Sequence, residues 1–399
     1  MAEPSSGGKL GSRIIVLTLI RLIINVTHRM AYPFLPAIAR GLGVSVTSAG
    51  LLITARSTVG LASPLFGPLS DRVGRRQMMV TGLLALACGG VVIACVPRYP
   101  AALAGFLLLG LAKVIFDPSL LAYLGDRVPY RRRGLAIAAT ELSWAGGLLI
   151  GAPVVGLIIG RWGWRVPFGV SAALAAVGLA ALLLVLPSDR SDRRRVTDPS
   201  IASSFVVAWR TILGNQRAAA ALAVLFLVGG ANEVLFIVYG TWMETGFGLS
   251  VGRLGLATIV IGVAELLGEI GAGGLSDRLG KRRSVSIGLV LTATGYALLP
   301  LVSASLRSAL AGLFLIFLCF EFAIVSNIPL VTELMPRERG TMMAMSIAAF
   351  SLGRAVAAPV GTALWATGGL AWTGLVAAAV TLVAFGLLRA FVPEGEGER

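Results

Sequence analysis

The sequence predicts an all-α membrane protein, with twelve transmembrane helices arranged as two pseudo-symmetric six-helix bundles. Three observations carry that fold class. Of 399 residues, 56% are hydrophobic and only 13% charged, whereas soluble domains carry about a quarter charged residues. Apolar runs recur with lengths of roughly 20 residues, which is what a helix needs to cross a hydrocarbon core ~30 Å thick at 1.5 Å per residue. Finally, a charged stretch is written twice, "GPLSDRVGRR" at 67–76 and "GGLSDRLGKRR" at 273–283, with Asp71 and Asp277 separated by 206 positions.

The apolar runs place the spans at 13–38, 48–69, 77–97, 101–124, 133–159, 165–187, 216–243, 252–274, 284–304, 307–332, 339–366 and 370–392. The chain then divides into a flexible N-terminus (1–12), a first six-helix bundle (13–187), a linker (188–215), a second bundle (216–392) and a flexible acidic tail (393–399). The linker holds "PSDRSDRRRVTDPS", the longest interior polar stretch. "MAEPSSGGKL" lacks an apolar core and a cleavage site, so the first span reads as a retained helix.

Basic residues orient the chain. The termini and even-numbered links hold 23 Lys and Arg, the odd links six (Arg40, Arg98, Arg161, Arg165, Arg253, Arg307), and five lie within spans. By the positive-inside rule this is a multi-pass protein of the cell (inner) membrane with both termini cytoplasmic. The net charge of +15 is therefore spread over short loops facing anionic headgroups, a distribution that argues against a nucleic-acid partner. Cys88, Cys95 and Cys319 fall inside spans and have no metal-ligand spacing, so they are expected to be small buried hydrophobes. No HExxH, GxxxxGK[ST] or GxSxG signature suggests an enzyme, and no metal or organic cofactor is implied.

A constant offset links the halves. Arg133-Gly134 pairs with Arg339-Gly340 and Pro153 with Pro359 at 206, while Asn25 and Tyr32 pair with Asn232 and Tyr239 at 207. Each half has an even number of spans, so the repeat is parallel, about an axis along the membrane normal.

On these residues the chain resembles the major facilitator superfamily over residues 13–392, its most specific element being "GPLSDRVGRR" between spans 2 and 3. The resemblance implies a transporter whose two bundles rock about a central site, with the loop motif as a cytoplasmic latch. Gly67 and Gly74 permit close approach and a tight turn. Asp71 can pair with a nearby helix N-terminus or arginine, and Asp126 is the expected partner of Arg72 or Arg75. In the second copy, Asp277 with Arg278 and Glu333 with Arg337 are expected to do the same. "ELSWAGGLLIGAPVVG" resembles the span 5 motif of the antiporter branch through Gly147, Gly151, Pro153 and Gly156, with Pro359 as repeat partner; the alternative reading is close helix packing. One departure weakens a specific drug:proton assignment, because Phe106 stands where that branch carries an arginine ahead of Gly110 in span 4.

Ionisable groups inside spans complete the reading. Each costs at least ~2.5–3.5 kcal/mol at a bilayer centre on insertion scales, so they should face protein or water. Arg21, Asn25, His28, Arg29 and Tyr32 follow three- and four-residue spacing and form one stripe on span 1. Lys113 and Asp117, four apart, can neutralise each other; Glu265 and Glu269, also four apart, place like charges side by side and are protonation candidates. Family analogy puts spans 1, 4, 7 and 10 around the cavity, which favours Arg21, Asn25, Arg29, Lys113, Asp117, Asn232, Glu233 and Glu321 as lining residues; with Tyr32, Glu141, Glu265, Glu269 and Arg354 they make up the expected substrate and proton pathway. His28 and Arg56 lie toward the outer end. The implied function is secondary transport of a small organic solute by a monomer in the lipid bilayer, with proton-coupled efflux as its mode and the proton as coupling ion. Alternatives are uptake or exchange of an anionic solute, and a receptor or lipid-handling protein without ion coupling.

Overall fold

The fold is described from a computed structural model covering residues 6–187, 209–336 and 338–392; side chains at 6–9, 67–68, 71 and 130–134 lie outside that description. Among the described residues the regular structure is helical throughout. Among the described residues, eleven helices are long and apolar enough to cross a membrane, and the last, Arg339–Phe391, comprises two spans folded back at Gly369 (φ 60°, ψ −147°). Only a residue without a Cβ adopts that backbone readily, so the twelve expected spans are all present.

The first bundle consists of α1 (Ser6–Arg29, continued by Leu35–Leu42), α2 (Val46–Thr58, then Val59–Ala62 as a 3₁₀ turn and Ser63–Val73), α3 (Arg75–Cys95), α4 (Tyr99–Arg127), α5 (Tyr130–Gly146, a π-turn Gly147–Gly151, then Ala152–Trp162) and α6 (Val166–Val185). The second consists of α7 (Gln216–Phe236, continued by Tyr239–Phe247), α8 (Val251–Leu279), α9 (Lys281–Val302) and α10 (Leu306–Leu334), with α11 and α12 before and after Gly369. α1 starts at Ser6, seven residues before the expected edge of the span, and residues 209–214 ahead of α7 are also helical.

The repeat is reproduced in detail. Arg76 donates to the carbonyl of Leu183 (2.5 Å) and Arg282 to that of Arg389 (2.6 Å), both pairs separated by the same 206 positions. α1 and α7 are each interrupted at equivalent places, 30–34 and 237–238.

The halves meet along α1/α7, α2/α11 and α5/α8. On the face opposite the termini, Arg40 reaches Glu244 (2.6 Å) across the seam, and the backbone of Gly240 lies so close to Pro33 that a Cβ there would fall 2.2 Å from its carbonyl oxygen. The glycines of α5 serve two contacts, Gly151 against α1 within the first half and Gly156 against α8 across the seam. A Cβ on Gly151 would meet Val26 of α1, and one on Gly156 would meet the Val251 carbonyl oxygen of α8 at 3.0 Å. Backbone-to-backbone contact of this kind replaces the hydrophobic drive that lipid does not supply. Pro153 follows the π-turn, whose wider winding accommodates the missing N–H. The expectation that the cysteines are buried is corrected. Cys88 and Cys95 are exposed, on the lipid-facing side of α3, and Cys319 is half-buried, because an apolar thiol is tolerated by acyl chains as well as by a core.

Candidate functional site

The stripe on α1 faces inward, and the side chains of Arg21, Asn25, Arg29 and Tyr32 each meet a partner from another helix. Arg21, 5% exposed, lies 3.3 Å from Asp117 and 2.8 Å from Glu141. Lys113 holds Asp117 at 2.7 Å and donates to Asn25 Oδ1 at 2.6 Å, while Asn25 Nδ2 donates to Ser143 (3.0 Å). This cluster of two cations and two carboxylates joins α1, α4 and α5 within the first half.

One turn further along α1, the interactions cross between halves. Arg29 grips Glu265 of α8 with both terminal nitrogens, at 2.6 and 2.5 Å, and donates a third bond to the Trp144 carbonyl (3.1 Å). Its guanidinium also stacks 4.2 Å above the Trp144 ring, on which Lys113 sits at 5.0 Å. Both charged side chains of this pair are about 3% exposed or less. The side-by-side carboxylates expected from spacing are therefore not equivalent: Glu265 is taken up by Arg29, and Glu269 has no hydrogen-bond or ion-pair partner among the described residues. The i,i+4 spacing sets both carboxylates on one face of α8, but an arginine from the other half decides which is compensated.

A second crossing network lies nearer the far face. Glu233 of α7, fully buried, accepts from Arg354 of α11 (2.7 Å) and from the Tyr32 hydroxyl (3.1 Å). Tyr32 in turn accepts from Arg354 and from Arg56 of α2 (3.1 Å), and Arg56 also donates to the His28 carbonyl. Arg56 rests its stem against Gly110, where a Cβ would lie 3.2 Å from Arg56 Cγ. Arg56 and His28, expected toward the outer end of the spans, stand on the wall of the central cavity.

Two adjoining cavities occupy the space between the halves. The larger, about 240 Å³, is bounded by α1, α2, α4, α5 and α11; the smaller, about 130 Å³, by α1, α5, α7, α8, α10 and α11. His28, Trp144, Phe350 and Arg354 wall both. Trp144 and Phe350 are again 206 apart, so the repeat places one aromatic ring from each half between the chambers, a pairing that the 206 offset could have revealed. The smaller chamber is lined by Phe236, Phe317 and Phe320 together with Asn232, Glu265 and Glu321. Glu321 is 7% exposed and has no hydrogen-bond or ion-pair partner among the described residues. Asn232 donates to the Tyr296 hydroxyl (3.3 Å).

The loop-motif residues lie at the end of the termini. Arg75 pairs with Asp126 (3.3 Å), and in the second copy Lys281 pairs with Glu333. The expected partner of Glu333, Arg337, lies outside the described residues, as do the Asp71 side chain and the contacts of Gly67; Asp277 and Arg278 lie in the last turn of α8. Positions 75 and 281 are related by the repeat, so the Lys281–Glu333 pair is the copy of Arg75–Asp126. Both pairs join the start of one helix to the end of another in the same half. Among the described residues, the ion pairs that cross between halves are Arg40–Glu244 and Arg29–Glu265; Arg354–Glu233 lies within the second half and is tied to the first through the Tyr32 hydroxyl.

The comparisons agree with this architecture. Residues 17–268 and 221–399 match the sequence profile of the Major Facilitator Superfamily, and the chain belongs to that family. It is a multi-pass membrane protein of the major facilitator fold. It is 25% identical, over 86% of its length and 87% of the relative's, to the uncharacterized MFS-type transporter YceJ of Bacillus subtilis. It is 26% identical, over 70% of its length and 69% of the relative's, to a multi-drug resistance efflux pump PmrA homolog of Lactococcus lactis. A crystal structure of a D-xylose–proton symporter superposes with a TM-score of 0.79 at 18% identity, covering 98% of this chain and 99% of that one.

Proposed function

We propose that this protein exports a small organic solute in exchange for protons, with Glu321 as the group that alternates between proton and solute. The observation that carries the reading is the solitary buried carboxyl of Glu321 in a chamber walled by aromatic rings. A carboxylate held away from water is unfavourable unless a proton or a cation accompanies it. A proton and the cationic or hydrogen-bond-donating part of a solute can thus occupy the same place in turn, but not together. Phenyl and indole faces add attraction for a cation or an aromatic body.

The charge inventory supports the exchange. Arg21 and Lys113 are matched by Asp117 and Glu141, Arg29 by Glu265, and Arg354 by Glu233. These groups are held by their partners, whereas Glu321 is available. Lys113 and Arg29, the residues an anion-transport reading needs most, are both engaged with carboxylates, which disfavours that alternative. The crossing pairs close the seam on the face opposite the termini, so the chambers are reached from the side of the termini, which the distribution of basic residues assigns to the cytoplasm. Rocking the halves apart on the far face must exchange the Arg40–Glu244 and Arg29–Glu265 pairs and the Tyr32 bonds to Glu233 and Arg354 for water. The export direction is supported by the efflux named in the Lactococcus relative.

A thermal-shift panel of aromatic amines and quaternary ammonium compounds identifies a ligand, which is then offered to proteoliposomes carrying a pH-sensitive dye. Wild-type protein should move protons when the ligand is added, and Glu321→Gln should bind it yet move none. Full coupled transport by Glu321→Gln refutes the assignment.

A further inference from the structure

The same charge inventory leaves one cation over. Arg56 is 1% exposed, yet the groups it reaches are a carbonyl oxygen and a phenol: His28 O and Tyr32 Oη. Its Nε has no hydrogen-bond partner, and no carboxylate among the described residues pairs with it. The nearby carboxylate, Glu233, is bound directly to Arg354, so two arginines share one negative charge through the Tyr32 hydroxyl. A guanidinium withdrawn from water without a counter-charge costs several kcal/mol. The His28 Nδ1 atom, buried on the same wall, is likewise without a partner. Both residues line the larger chamber, where Ser57, Ser63 and Ser351 add hydroxyl groups.

We infer that this chamber is a binding site for a small monovalent anionic group, held by Arg56 and hydrogen-bonded by the surrounding hydroxyls. Arginine suits the role because it stays charged and offers a planar fork of donors to a carboxylate or halide. The chamber's 240 Å³ accommodates a halide or the carboxylate end of a larger molecule. Phe350 and Trp144 separate it from Glu321 in the neighbouring chamber, so one bipolar solute can present an anionic end to Arg56 and a cationic or donor end to Glu321. A free halide can equally supply the anionic group. The site is argued from Arg56 and His28 alone and does not depend on proton coupling through Glu321.

Purified protein in gluconate buffer of fixed pH and ionic strength is titrated with chloride, bromide, formate or acetate while its melting temperature is followed. A saturable rise with halides identifies a free anion site. A saturable rise with formate and acetate alone identifies a carboxylate site for the solute. Either response should weaken at least tenfold in apparent affinity in Arg56→Gln and persist in Arg40→Gln, whose arginine lies at the exposed far face. Independently of how Arg56→Gln folds, wild-type crystals soaked in bromide give a second reading: anomalous density beside Arg56 supports the halide form. No saturable response to any of the four anions overturns the inference. Glu321→Gln should keep the anion response, so loss of coupling in that variant and loss of anion binding in Arg56→Gln are separable failures.

Discussion

The bidentate Arg29–Glu265 pair holds α1 of one half to α8 of the other, and its removal can be given a size. Glu265→Gln preserves shape but removes the charge, leaving Arg29 buried beside the Trp144 carbonyl and ring. Removing one partner of a buried ion pair costs about 3–5 kcal/mol, because the other charge is left uncompensated. That cost falls on the conformer in which Arg29 is enclosed and is relieved when the halves part and water reaches it. At ~1.4 kcal/mol per decade, the equilibrium between the closed and parted far face should move by about two to three and a half decades. Met243, fully buried on α7 at that face, reports the parted state. With the native cysteines replaced by serine and Met243→Cys introduced, the rate of modification by a membrane-impermeant maleimide tracks the fraction of time the face is open. The rate should rise at least ~100-fold on adding Glu265→Gln. The exchanged pair, Arg29→Glu with Glu265→Arg, should recover part of the difference. A rate within threefold of the Met243→Cys background would show that this pair does not hold the far face shut.

Other consequences follow from the same contacts. Gly240→Ala places a methyl group 2.2 Å from the Pro33 carbonyl oxygen, so it too should speed Met243→Cys modification, while leaving every ion pair intact. Gly353→Ala, whose Cβ would sit 1.9 Å from the Phe226 carbonyl oxygen, strains the α7/α11 packing; overpacking of this kind costs ~1–3 kcal/mol, measurable as a lowered melting temperature. Asp117→Asn leaves Lys113 and Arg21 sharing Glu141 and should destabilise the protein by several kcal/mol. Asp126→Asn, by contrast, breaks a pair whose acid is 58% exposed, and should change stability by about 0–1 kcal/mol; a loss as large as that of Asp117→Asn would show that the loop pair carries more than its exposure allows.

Much of the architecture was legible in the sequence because the bilayer imposes it. Span length, the two six-helix halves and the 206-residue offset follow from hydrocarbon thickness and from duplication, and neither depends on how helices meet. The inward direction of the α1 stripe was equally legible, since Arg21, Asn25, Arg29 and Tyr32 share one helical face and no member belongs in lipid. Spacing within one helix also foretold the Lys113–Asp117 pair. What spacing cannot report is a partner from a distant helix. Arg29 sits 236 positions from Glu265, and Arg354 is 322 from Tyr32; only packing of the two halves brings them within hydrogen-bond reach. The same packing decides that Glu265 is compensated while Glu269 and Glu321 are not. It turns Cys88 and Cys95 toward lipid, and it leaves Arg56 against Gly110 without a carboxylate. The sequence by itself determined which residues could not face lipid, because transfer of charge into hydrocarbon is costly wherever it occurs. The tertiary structure alone decided which of those charges cancel, because cancellation depends on ångström separations between helices that the chain visits hundreds of residues apart.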